Sequence, residues 1–251
     1  MILATLALFQ TAWLFVPAND DVMEVRAFSG FAQAPELMAR RNISVRRAQF
    51  GIATELSVYQ QTYLAVKVPF IWARGIDSST TFYDRQDLGD LEVRVRYRLW
   101  DRASIDVGAL MPGATDEETL EDNFPTTQAA FPPLGSTAMK IELRGLTTHS
   151  VGPWQFGIRA GVLGPATRFE PALTADLIGL WSTAQGGFSA GPYFDGQWSL
   201  EGPDQQRGVL GLMERIGMVR GVSLELKLET TVFSTNMEKQ SAIHVAAVWR
   251  K

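Results

Sequence analysis

The sequence predicts an all-β protein, a transmembrane up-and-down antiparallel β-barrel of about twelve strands. Segments of about ten residues, in which apolar and polar residues alternate, recur from residue 22 to the C-terminus. Their connections alternate between tight turns and longer polar loops. Outside the N-terminal apolar run, no sustained period of 3.6 residues predicts an amphipathic helix. Together these patterns favour a barrel over a soluble sandwich or a helical fold.

The clearest strand is the segment GDLEVRVRYRLW, residues 89–100. From Leu91 onward every second residue is apolar, and the residues between them are Glu92, Arg94, Arg96 and Arg98. Side chains of neighbouring strand residues point to opposite faces of a sheet. A row that is almost wholly charged, opposite a row that is wholly apolar, predicts one face toward the barrel interior and one toward lipid.

Composition excludes several classes of protein. The 251 residues are 46% hydrophobic with a mean hydropathy near zero, which is too polar for a helical membrane protein. The net charge of −4 gives no basic surface for nucleic acid. Without cysteine, and with two histidines, the chain has no thiol nucleophile and little material for a metal centre. We therefore expect no cofactor, no metal and no nucleic-acid partner.

The N-terminus carries the longest apolar run, residues 2–16, which is shorter than a membrane-spanning helix. It ends at Val16-Pro17-Ala18 before three polar residues. This pattern predicts a secretory signal peptide at residues 1–18 and a single barrel domain at residues 19–251. A buried first strand or a membrane anchor is the alternative, because no Lys or Arg precedes the run.

Alternation defines the strands in chain order. They are residues 22–28, 43–58, 63–72, 91–100, 104–111, 139–146, 154–162, 173–182, 188–200, 208–218, 222–233 and 241–249. Ile43 and Val45 are out of phase with the rest of their strand, which predicts a bulge near Arg46-Arg47. The strands around Asp176 and around Glu214-Arg215 are the least regular.

The connections form two sets. The longer or more polar ones are residues 29–42, 73–88, 112–136, 164–171, 201–207 and 234–240, and the tight ones are 59–61, 101–103, 149–153, 185–187 and 219–221. Short turns on the periplasmic side and longer loops outside are typical of outer-membrane barrels. Most tryptophans fall at strand ends, as interface girdles would. These are Trp72, Trp100, Trp154, Trp181, Trp198 and Trp249.

Residues 50–75, FGIATELSVYQQTYLAVKVPFIWARG, resemble paired strands of the outer-membrane "MetA-pathway of phenol degradation" family. Phe50-Gly51-Ile52 and Pro69-Phe70 match its pattern, as do residues 88–101, LGDLEVRVRYRLWD. Met111-Pro112-Gly113 and Leu134-Gly135-Ser136 fit its rhythm. The resemblance implies an outer-membrane transporter for aromatic or other apolar compounds. The chain departs from the family in two ways: it is short, and it ends in Trp249-Arg250-Lys251 instead of a terminal aromatic residue. The second difference bears on how the outer-membrane assembly machinery recognises the C-terminus.

The predicted inward face carries charges of both signs, at Glu24 and Arg26 and at the candidate lumen residues. These are Glu55, Lys67, Glu92, Arg94, Arg96, Arg98, Asp106, Lys140, Glu142, Arg144, Arg159, Asp195, Glu225, Lys227 and Glu229. Two interpretations remain open. The charges form a selectivity surface, in which the row Arg94, Arg96 and Arg98 faces acidic residues across a narrow pore. Alternatively they form ion pairs that fill the lumen of a small barrel.

Other candidate sites are weaker. His149-Ser150 resembles the catalytic pair of a barrel phospholipase, but the two residues lie in a predicted turn without an acidic partner, so we expect no enzyme. His244 is expected to face the lumen or an interface. The acidic segment 116–122 lacks the spacing of a calcium loop. Phe82, Tyr83, Phe124 and Phe131 are candidate ligand contacts on the extracellular side.

The sequence thus predicts an outer-membrane channel for passive passage of small apolar or aromatic molecules. Its expected partners are the lipid bilayer, a small-molecule solute and the outer-membrane assembly machinery. A structural or adhesive barrel with a charge-plugged lumen is the first alternative, and a lipid-modifying enzyme is the second.

Overall fold

The computed structural model describes residues 23–34, 43–77, 80–111, 139–165, 172–183, 187–200, 206–219, 221–235 and 241–251. They contain the strands β1 (Met23–Ala34), β2 (Ile43–Tyr59), β3 (Thr62–Asp77), β4 (Thr80–Leu88), β5 (Leu91–Trp100), β6 (Ala103–Met111), β7 (Lys140–Val151), β8 (Trp154–Pro165), β9 (Ala172–Ser182), β10 (Phe188–Ser199), β11 (Gln206–Val219), β12 (Val222–Thr235) and β13 (Ser241–Arg250). No helix in these residues is long and apolar enough to cross a membrane. The predicted signal peptide and the acidic segment lie outside this part of the chain.

All thirteen segments belong to one antiparallel sheet that closes on itself. The strand β1 pairs with β2 on one side and with β13 on the other, so the first and last strands complete the wall. Residues 70–77 of β3 pair with β4, and residues 62–67 of β3 pair with β5. Because β4 and β5 continue each other beside β3, the thirteen segments make twelve wall strands. The predicted twelve-stranded barrel is confirmed.

The predicted bulge near Arg46-Arg47 is wrong. The pairing of β2 with β3 runs without a shift from Ile43 to Ser57, and the register shift lies next to the turn, between Ser57 and Tyr59. Arg46 is exposed and Gln49 is buried, so the alternation of faces in the later part of β2 already holds at Arg46. Because the pairing is unshifted, the change of phase in the sequence is a change of residue type and not of backbone register.

The long connection predicted at residues 73–88 is also wrong. β3 continues to Asp77 and β4 starts at Thr80, so a two-residue link joins two paired strands. Similarly, β7 extends to Val151, which places His149-Ser150 on a strand and not in a turn. Backbone pairing satisfies N–H and C=O groups whatever the side chains are, so a strand can continue where the apolar alternation stops.

Burial is inverted relative to a soluble protein. On the outward rows, large apolar side chains such as Ile52 and Leu143 are 59% and 55% exposed. On the inward rows, Glu55 and Arg144 are each 1% exposed. Apolar area of this extent is unfavourable in water and favourable in hydrocarbon. The wall therefore presents a lipid-facing surface, and the polar rows face the barrel interior.

Tight turns and tryptophans mark one end of the wall. Gly152 and Gly221 have φ angles of 57° and 78°, a region that glycine adopts without strain. Trp154 pairs with Trp181 across β8 and β9, close to the first of these turns. Trp100 and Trp249 are exposed at the same end of their strands. This arrangement fits an aromatic girdle on the periplasmic side.

Candidate functional site

The barrel interior is the candidate functional site, because charged groups of both signs converge there. The described residues include ten buried carboxylates and, facing the same interior, seven buried and three half-buried cations. The carboxylates are Glu24, Glu55, Asp90, Glu92, Asp106, Glu142, Asp176, Asp195, Glu225 and Glu229, and the cations are Arg26, Lys67, Arg94, Arg96, Arg98, Arg144, Arg159, Arg215, Lys227 and Arg250. Formal charges in this part of the interior balance.

A periplasmic cluster joins the strands at the seam where the barrel closes. Arg26 of β1 donates to Glu24 and, at 2.5 Å, to Glu225 of β12. Arg215 of β11 also donates to Glu225, with its Nε at 2.7 Å. Arg250 of β13 donates to Glu24 at 2.5 Å. Each carboxylate thus accepts from two guanidinium groups, which links four strands through charge-assisted hydrogen bonds.

A second cluster lies between β2, β5 and β6. Arg96 Nε and Nη2 donate to the two carboxylate oxygens of Asp106, at 2.8 and 3.2 Å. Arg96 Nη1 donates to Glu55 Oε1 at 3.1 Å. All three residues are at most 7% exposed. One fork of donors therefore serves two carboxylates, the geometry for which a guanidinium is suited.

The central cluster consists of Lys67, Glu92, Arg94, Glu142 and Arg144. Arg94 donates to Glu92 on its own strand and, through Nη2 at 2.7 Å, to Glu142 Oε2 on β7. Arg144 donates to both oxygens of the same Glu142. Lys67 Nζ lies 3.8 Å from Glu92 Oε2. Two guanidinium groups therefore converge on one carboxylate.

Two further groups cover the other side of the interior. Arg159 of β8 is ion-paired with Asp176 of β9, directly opposite it in the ladder. On the next strands, Tyr193 donates its hydroxyl to Glu229, and His244 Nε2 lies 3.3 Å from Glu229 Oε1. Lys227 Nζ lies 5.4 Å from the centre of the Tyr193 ring, a cation–π distance.

The three residues of the predicted arginine row have different surroundings in the structure. Arg94 contacts the central cluster, Arg96 contacts Asp106 and Glu55, and Arg98 is half-buried nearer the turn. Lys140, Phe82 and Tyr83 lie on β7 and β4, but their side chains fall outside the described structure, and Phe124 and Phe131 fall outside it entirely. His149 is exposed and shares a hydrogen bond with Arg102 at 3.1 Å. Among the described contacts, His149 has no acidic partner of the kind that a catalytic histidine uses.

Sequence reasoning missed several members of the interior. The clusters include Asp176, Tyr193 and Arg215, none of which was a candidate. The inward row of β9 also carries Ile178 and Leu180, which pack with Leu146, Tyr193 and Met213. Because the interior of this barrel is partly apolar, the sequence around Asp176 does not show which face of the sheet this residue occupies. The partner of Asp176 on the adjacent strand identifies that face.

The charged side chains of the interior balance in formal charge and are linked to one another by ion pairs. Side chains fill the described interior to the extent that most of its charged groups are less than 8% exposed. No group of three His, Asp or Glu residues in the described chain could hold a metal ion. Buried ion pairs cost desolvation and are retained where they fix a structure or bind a ligand. The described interior is therefore balanced in formal charge and closely packed.

No protein-family model matches the sequence, and no curated protein matches it. Among solved structures, the fold resembles the COG4313 outer membrane channel from Pseudomonas putida F1, with a TM-score of 0.69 and 12% identity over 93% of this chain and 96% of that one. The fold is that of an outer-membrane β-barrel.

Two other solved structures share this fold. The translocator domain of the autotransporter NalP from Neisseria meningitidis has a TM-score of 0.62 and 9% identity over 95% of this chain and 91% of that one. The CymD monoaromatic hydrocarbon channel has a TM-score of 0.53 and 6% identity over 93% and 88%. With the exposed apolar belt, the fold places this chain in an outer membrane.

Proposed function

We propose that the chain is an outer-membrane channel through which small apolar or aromatic molecules pass by diffusion. The observation that carries the proposal is a closed barrel of twelve strands whose interior is lined by charged side chains on many strands. Several of these groups, such as Glu142, Glu225 and Arg96, already have two partners of opposite charge, so one contact can be exchanged for another as a small solute passes. No chemical step is needed for this role, and we expect no enzymatic activity.

The solute class rests on resemblance. Residues 50–75 and 88–101 resemble the "MetA-pathway of phenol degradation" family, and the fold is similar to CymD, a monoaromatic hydrocarbon channel. The fold is also similar to the COG4313 outer membrane channel. We also propose that residues 1–18 are a signal peptide and that the outer-membrane assembly machinery inserts the barrel.

A structural barrel with a plugged lumen is the second candidate. The burial of Arg144, Arg159, Glu55 and Glu92 to 2% exposure or less favours it, because an open aqueous pore would hydrate such groups. The two functions differ in one respect. A channel lets solute reach the periplasm, and a plugged barrel does not.

The test is solute uptake by bacteria that lack their general porins and express this chain. We expect faster initial uptake of 4-hydroxybenzyl alcohol, a small aromatic solute, with no gain for sucrose. Gly108→Trp places a large side chain on the inward face and should abolish the gain. Gly145→Trp is the matched control, because Gly145 faces outward with open space around it.

Folding of both variants is checked by the difference in gel mobility between heated and unheated barrels. Equal uptake by cells with and without the folded protein would favour the plugged structural barrel. Equal uptake through both tryptophan variants would show that solute does not pass through the interior.

A further inference from the structure

The central cluster contains a buried cation that lacks a carboxylate of its own. Among the described residues, Glu142 is the only carboxylate in ion-pair contact with Arg144, and it is shared with Arg94. Nη1 of Arg94 and Nη1 of Arg144 are buried and have no hydrogen-bond partner within the described structure. Both side chains are at most 3% exposed. A buried guanidinium is stable when its charge and its N–H groups are matched, so this pair has capacity for a second anion.

Glycines on two neighbouring strands lie directly against these arginine residues. A Cβ atom on Gly108 of β6 would lie 2.8 Å from Arg94 Nη1, and one on Gly161 of β8 would lie 2.4 Å from Leu143 O and 2.6 Å from Arg144 Cγ. Gly108 is opposite both Arg94 and Glu142 in the ladders, and Gly161 is opposite Arg144. The absence of side chains at these positions lets the arginines lie against the wall.

An apolar pair adjoins the arginines on the same two strands. Leu110 follows Gly108 as the next inward residue of β6, and Leu163 follows Gly161 as the next inward residue of β8. Leu110 and Leu163 pack against each other and are 0% and 3% exposed. Leu163 is directly opposite Glu142 in the ladder. A ligand whose anionic group reached the arginines would therefore place its remaining atoms against leucine.

We propose that the central cluster is a binding site for a small organic carboxylate with an apolar body, such as an aromatic acid. In the absence of ligand, the carboxylate of Glu142 binds the two guanidinium groups, and it competes with the carboxylate of the ligand for them. The proposal rests on the proposed channel function, because passage through the lumen brings the ligand to the site. It also adds to that function, because anionic aromatic solutes would be held at this site more tightly than the neutral ones that pass through the same lumen.

The test is calorimetric titration of the detergent-folded barrel at constant ionic strength. The probes are benzoate, its neutral counterpart benzyl alcohol, and chloride. We expect benzoate to bind at least about tenfold more tightly than either of the others, since charge-assisted hydrogen bonds and apolar contact both contribute.

Three substitutions should change the affinity for benzoate in different ways. Glu142→Gln removes the internal competitor and should tighten benzoate binding about tenfold. Arg144→Gln removes a donor and should weaken binding about tenfold. Glu24→Gln is the matched control, because it removes the same charge from the periplasmic cluster and should leave the affinity unchanged.

If Arg144→Gln does not fold, Gly108→Ala replaces it, since the added methyl group displaces the Arg94 guanidinium without changing charge and should weaken binding several-fold. Equal effects of Glu142→Gln and Glu24→Gln would overturn the proposal, because only net charge would then matter. Equal affinity for chloride and benzoate would overturn the organic class. Calorimetric titration measures binding and does not depend on transport. If benzoate binds but the aromatic solute enters cells no faster, the channel function is refuted and the binding site stands.

Discussion

Leu143 and Arg144 are neighbours in sequence with opposite surroundings. Leu143 is 55% exposed on the outward face, and Arg144 is 1% exposed inside the barrel. Their side chains follow from the two-residue period of a strand, which the sequence displays directly. Which face each candidate residue occupies was thus predictable where alternation is clear. Whether the inward charges set selectivity stays a prediction.

Partners were harder to predict than faces. Strand order and alternation bring Asp106 within reach of Arg94 or Arg96, and the register of the two strands selects Arg96. Arg26 reaches Glu225, which is 199 residues away in sequence, because β1 and β13 close the barrel. Such a pair depends on the register around the whole wall. No local pattern contains that information.

The Arg159–Asp176 pair allows the ion-pair interpretation to be measured. Arg159→Met leaves Asp176 buried without its main cation and should lower the free energy of unfolding by about 3–5 kcal/mol. The double variant Arg159→Met with Asp176→Leu should recover most of this loss, since neither charge is then left buried. Urea unfolding in lipid vesicles, followed by tryptophan fluorescence, gives both values.

The single variant Asp176→Leu completes the thermodynamic cycle and isolates the coupling between the two side chains. A double variant whose loss equals the sum of the two single losses would contradict a direct pair at this site.

At the scale of elements, the break between β4 and β5 is the least regular feature of the wall. Gly89 N donates to Pro69 O at 2.9 Å, which holds the break against β3. A Cβ atom on Gly89 would lie 2.7 Å from Ile71 Cδ1 and 2.9 Å from Pro69 Cγ. The sequence predicts a strand that starts at Leu91, after a connection at residues 73–88. The continuation of that strand through β4 was not predicted, because residues 80–88 lack apolar alternation.

Gly89→Ala should therefore lower the free energy of unfolding by about 1–3 kcal/mol through overpacking against Ile71 and Pro69. Gly145→Ala is the matched control, since its Cβ would have no atom within 4 Å, and it should change stability by less than about 0.5 kcal/mol. Urea unfolding in vesicles compares the two variants. Equal losses would mean that the break does not depend on close packing at Gly89.

At the scale of the whole molecule, closure explains both the fold and the filled interior. The strand count and the two-sided wall were predictable from alternation and turn rhythm, and the structure confirms them. The filling of the lumen was not, because it depends on how long side chains from strands distant in sequence meet in three dimensions. The central claim is that this filled interior still admits small solutes.

Cysteine accessibility tests this claim most directly, because the chain contains no natural cysteine. Thr174→Cys places a thiol on the inward face, where the Thr174 hydroxyl lies 3.5 Å from Glu142 Oε1 in the central cluster, and Leu143→Cys places one on the lipid face. A small water-soluble thiol reagent reacts with the thiolate, which needs a polar environment. We predict modification of Thr174→Cys at least about tenfold faster than of Leu143→Cys, because thiolate formation is disfavoured in hydrocarbon. Modification of neither thiol, in barrels shown to be folded, would contradict passage through the interior.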